Sequence, residues 1–107
     1  MNQSQLELIG ILPSEYYQHN TNIVLDELEI NLIENYSINL FNTYRTKLRF
    51  TCDKYYELMN TIETLIKYCN YKLKEYLESV YSTLRLMIIK IDDVIFNYED
   101  YFYTEGF

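Results

Sequence analysis

The 107-residue sequence contains no alanine and no tryptophan, and only two glycines, one proline, two cysteines and one histidine. Two glycines cannot build the Gly-rich loop whose backbone cradles a phosphate. The single histidine, His19, sits in a polar stretch with no nucleophile pattern nearby, and neither H-E-x-x-H nor G-x-S-x-G occurs. Carboxylate pairs such as Glu75/Glu78 and Asp92/Asp93 remain as acid–base or cation-holding candidates. On a helix, however, Glu75 and Glu78 share a solvated face with Lys72 and Lys74, which is ordinary surface charge. The sequence therefore reads as non-enzymatic, with no cofactor and no metal.

Cys52 and Cys69 show neither a pairing framework nor ligand spacing. Cys69 falls on an apolar helical stripe, so it reads as a reduced core thiol. No basic-plus-apolar leader is present and no apolar run approaches the ~20 residues of a membrane span. A cytoplasmic protein with no membrane partner is the expectation. The formal net charge of −7 argues against a generic binder of DNA or of membrane surfaces.

What the sequence has instead is 12 isoleucines, 10 asparagines and 13 tyrosines, all residues with AT-rich codons. That bias points to an AT-rich genome such as a phage, virus or mobile element. Lysine should rise under the same bias, yet only six are present, so the acidity reads as selected.

Hydrophobic spacing predicts an all-α fold, a bundle of three or four amphipathic helices within a single domain. Residues 1–13 form a short N-terminal element, with Ser4 and Glu7 as a capping box, Gly10 as its stop and Pro13 as a bar to resumption. A short strand is the alternative there. Residues 14–22 read as a polar connector. From 23 to 50 a first long helix or helix pair carries Leu25, Leu28, Leu32, Tyr36, Leu40, Tyr44 and Leu48 on one face. Ser37 offers a restart within it, and Asp26 and Glu27 fall in its first turn, at the positive end of the dipole. Asp53 is expected to cap the next helical region, 53–100, which breaks near Asn70 or near Ser82-Thr83. Residues 101–107 read as an acidic aromatic tail.

Within 53–100, Met59, Ile66, Leu73, Val80, Met87 and Val94 recur every seven residues. An unbroken helix would be ~72 Å long, which would favour an extended rod or a homodimer along this coiled-coil-like stripe.

Charge is segregated. Residues 1–44 hold six acids and no Lys or Arg, residues 45–90 hold nine bases against five acids, and residues 91–107 hold five acids and no base. One consequence is that acidic outer helices pair with a basic middle helix. The other is that the two acidic segments converge on a basic partner. Tyrosine is too abundant to be wholly buried in a thin bundle, so part of it supplies contact area.

These features point to an acidic protein–protein interaction module. Its candidate contact residues are Tyr16, Tyr17, Asp26, Glu27, Asp92, Asp93, Tyr98, Glu99, Asp100, Tyr101 and Tyr103. An inhibitor that mimics nucleic acid and fills a basic groove, in the manner of anti-CRISPR proteins, is the runner-up; a structural assembly protein is the third reading. Direct nucleic-acid binding through Tyr44–Phe50 is disfavoured, because a helix distributes those bases and rings around its circumference.

Overall fold

A computed structural model describes residues 2–104 as four α-helices with no strand among them. Helix α1 spans Gln3–Leu8. Its cap is Asn2, not Ser4: the Asn2 side chain accepts from the Gln5 N–H (3.0 Å), and the Gln5 side chain accepts from the Asn2 N–H (2.6 Å). Gly10 ends the element with φ +93, a backbone state that L side chains resist.

Helix α2 runs Ser14–Glu34, so the segment 14–22 read as a connector is helical. Pro13 does not hinder it, because proline lacks only an N–H that a helix start leaves unpaired anyway. Tyr17 and Thr21 face inward, in step with Leu25, Leu28 and Leu32. Asp26 and Glu27 consequently lie mid-helix, away from the positive end of the dipole, where only Glu15 sits.

Helix α3 spans Ile38–Ile66. Ser37 caps it by accepting the Leu40 N–H at 3.3 Å. The expected stop at 51–53 is absent, because Leu48, Cys52, Tyr55 and Met59 keep an uninterrupted inward stripe through it. Helix α4 then covers Tyr71–Thr104 after a break at 67–70. Asn70 caps it, accepting the Leu73 N–H at 2.9 Å, and Ser82-Thr83 lie within unbroken helix. The supposed tail is therefore helical through Thr104; residues 105–107 lie outside the described chain.

The short break makes α3 and α4 antiparallel neighbours, and α2 lies parallel to α4. Ser14 meets Ser79 (3.3 Å) and Asn22 meets Lys90 (2.6 Å) along the α2/α4 seam. At 1.5 Å per residue α4 is about 51 Å long, which accounts for the 54 Å long axis of the bundle. No described helix is long and apolar enough to cross a membrane. The seven-residue stripe is spent within the chain. Met59, Leu73 and Val80 are buried, and Ile66, Met87 and Val94 are partly buried against the same core. Because the hairpin at 67–70 folds its two halves together, the stripe is not left for a second copy.

Cys52 is buried on α3, and burial, reinforced by the Asp92 carboxylate, pushes its thiol up to about 11. In the unfolded chain the thiol ionises near pH ~8.5. Its contribution to stability is therefore complete below that value and is lost as pH rises toward 11. At mildly alkaline pH, iodoacetamide is expected to modify half-buried Cys69 first and Cys52 only at the rate of unfolding. Equal labelling of the two thiols under native conditions would contradict this placement.

Candidate partner-binding surface

Parallel packing of α2 and α4 brings the C-terminal halves of both helices, the acid-rich halves, to one end of the bundle. On α2, Asp26 and Glu29 line a groove opposite Lys90, Val94, Asn97 and Tyr98 of α4. Burial and the nearby Glu29 carboxylate hold the Tyr98 phenol above its usual range. Asp93 and Asp100 lie seven residues apart on one exposed line of α4. Lys90 is the basic residue in the groove, and its ammonium donates to the Asn22 side chain at 2.6 Å.

Aromatic rings crown this end. Tyr36, in the α2–α3 connection, is 59% exposed; it meets Tyr101 edge-to-face at 5.5 Å and stacks on Phe102 at 4.9 Å. Phe102 continues the stack onto Phe41 at 5.2 Å. The sequence pattern placed Tyr36 on the inward face of a helix. Its position in the Asn35-Tyr36-Ser37 break was the signal that it belongs to the surface instead.

The eleven expected contact residues do not form one site. Asp26 and half-buried Tyr98 line the α2/α4 groove, and Tyr101 meets Tyr36 at the end of the bundle where Asp100 is also exposed. Asp92, Asp93 and Glu99 line a groove with Arg49 of α3 and with Ile95 and Phe96. Glu99 is partly neutralised there by Arg45 (3.5 Å) and Arg49 (3.3 Å). Tyr103 donates to the Asn42 side chain at 2.8 Å and lies 5.7 Å from the Arg45 guanidinium. Glu27 falls on the same helical line as Tyr16, Asn20 and Ile23, on the α3 side of α2.

Tyr17 is a packing residue and leaves the contact set. It is 3% exposed, accepts the Leu12 N–H at 2.9 Å and donates to the Gly10 carbonyl at 3.3 Å. Tyr16 packs edge-to-face on it, at the opposite end of α2 from the acidic cluster. Among the described residues, the ion pairs in which a basic middle helix neutralises an acidic neighbour are those of Arg45 and Arg49 with Glu99.

Among the described residues no group of three or more His, Cys, Asp or Glu is arranged to hold a metal ion. Comparison with family models, with curated proteins and with solved structures finds no match to this chain.

Proposed function

We propose that the chain is a protein-interaction module that binds a basic protein surface through the α2/α4 end of the bundle. The observation that carries this reading is the groove in which Asp26 and Glu29 of α2 face Tyr98 of α4, with Tyr36 and Tyr101 exposed at the same end of the bundle. Carboxylates steer a basic partner and fix its register, while amphipathic rings supply the contact area.

The rings also separate this reading from mimicry of nucleic acid, in which carboxylates alone would follow the phosphates. The test compares capture of host proteins by the immobilised wild type and by two charge-matched variants. Asp26→Lys/Glu29→Lys/Asp100→Lys is expected to lose the partner by on the order of tenfold or more. Glu57→Lys/Glu75→Lys/Glu78→Lys, altering exposed acids elsewhere, is expected to retain it. Equal capture by both variants would overturn the proposal. A partner that competes with DNA and elutes at moderate salt would instead establish the mimic.

A further inference from the structure

A different surface carries a second inference, independent of the one above. Helices α2 and α3 pack on α4 more closely than on each other. An open groove of about 500 Å³ runs along their seam, with Tyr16, Ile23, Val24, Leu48, Lys54 and Leu58 among its lining residues. Beside it, two stripes face outward. On α2, Ile23, Glu27, Ile30 and Glu34 follow at steps of three and four residues; on α3, Lys47, Phe50 and Lys54 do the same. Ile30 is 56% exposed and Phe50 61%, and the Lys54 ammonium lies 4.7 Å from the Phe50 ring centre. α2 has apolar residues on both its faces, the pattern of a helix meant to be covered on both.

Charge decides what covers it. The acids of this face are on α2 and its lysines on α3, so a uniformly basic or acidic partner would suit one half and be repelled by the other. The pattern is complementary to itself under a two-fold rotation about an axis parallel to the helices, which lays α2 of each copy over α3 of the other. A two-fold across the helices would set α2 on α2 and oppose like carboxylates.

Register supports the first arrangement. The Thr21–Tyr55 and Asn31–Tyr44 hydrogen bonds, at 2.9 and 3.0 Å, fix how α2 lies against α3. At that register Phe50 is level with the gap between Ile23 and Ile30, and Lys47 is level with Glu27. Rotation about an axis parallel to the helices preserves those levels, so each Phe50 seats between Ile23 and Ile30 of the other copy, and each Glu27 meets the partner's Lys47. We infer that the chain forms a symmetric dimer through its α2/α3 face, with Phe50 as the apolar knob and Glu27–Lys47 as the reciprocal ion pair.

Analytical ultracentrifugation from micromolar to submillimolar concentration tests this. The wild type is expected to approach twice its 13.1 kDa. Phe50→Glu, Glu27→Lys and Lys47→Glu should each weaken association by about tenfold or more, and Glu27→Lys/Lys47→Glu should restore it. All three substituted positions are exposed, and unchanged helical circular dichroism and melting of the monomers would separate lost association from lost folding. A wild type that stays monomeric throughout, or a dimer indifferent to Phe50→Glu and to the charge swap, would overturn the inference. Assembly only after addition of a basic peptide would overturn it as well, since the occupant would then be another protein.

Discussion

Phe102→Ala is expected to destabilise the protein by about 3–5 kcal/mol, while its neighbour Tyr101→Ala costs about 1 kcal/mol. Phe102 is 1% exposed and lies between Tyr36 and Phe41, forming a three-ring stack with interplanar angles of 21° and 15°. One ring comes from the α2–α3 connection, one from the first turn of α3 and one from the last turns of α4, so the stack closes the acidic end of the bundle. Removing the central ring leaves a cavity that three separate segments would have to move together to fill. Tyr101 is 51% exposed and gives up only edge-to-face contacts. Against a typical total of roughly 5–15 kcal/mol, the first loss takes a large share of the stability. Urea denaturation would show it as a fall in midpoint at constant slope. Matching midpoints for the two variants would show that the last turns of α4 do not pack.

That closure was hidden in the sequence because NYEDYFYT is dominated by polar and half-polar residues. The inward positions Leu84, Ile88, Ile91 and Ile95 nevertheless predict Phe102 at the next helical steps beyond Tyr98. The start of α2 was concealed in the same way, since Tyr17 and Thr21 are core residues of polar type and SEYYQHNTN looks like a loop without them. Asp53 misled in the opposite direction. Asp is a good cap in isolation, but Cys52 and Tyr55 on either side of it are buried, and that packing outweighs a local preference worth about 1 kcal/mol. The breaks at Ser37 and Asn70 were legible because a capping side chain there coincides with a pause in the apolar stripe. At the candidate surface, the residue types were legible and their grouping was not. Whether Asp26 shares a groove with Tyr98 depends on α2 and α4 running parallel in a given register, and hydrophobic spacing carries no information about register between helices. Segregated charge suggested convergence; the direction of three helices decides which acids line the α2/α4 groove and which, like Glu99, are drawn to arginine.

The pair that fixes part of that register gives the second large effect. The Thr21 hydroxyl and the Tyr55 phenol are 2.9 Å apart, buried between α2 and α3, and burial holds the phenol above its usual range while the Thr21 bond pulls it down. Tyr55→Phe leaves the Thr21 oxygen without that partner, and Thr21→Val does the same to the phenol. Each is expected to cost about 1–3 kcal/mol, the desolvation of one unsatisfied group. The double variant keeps the packed shape and strands neither oxygen, so its cost should fall well below the sum of the two, with a coupling of about 1 kcal/mol or more. Denaturant unfolding of the four proteins measures the cycle directly. Additive losses would mean that the two groups act separately, through water or through packing alone, and the α2/α3 register would then rest on the Asn31–Tyr44 bond and on the apolar contacts of the core. A strong coupling makes a buried polar contact the device that sets how α2 lies against α3. Hydrophobic residues can slide past one another with little change in buried area, whereas a buried, paired hydroxyl cannot shift by a turn without losing its partner.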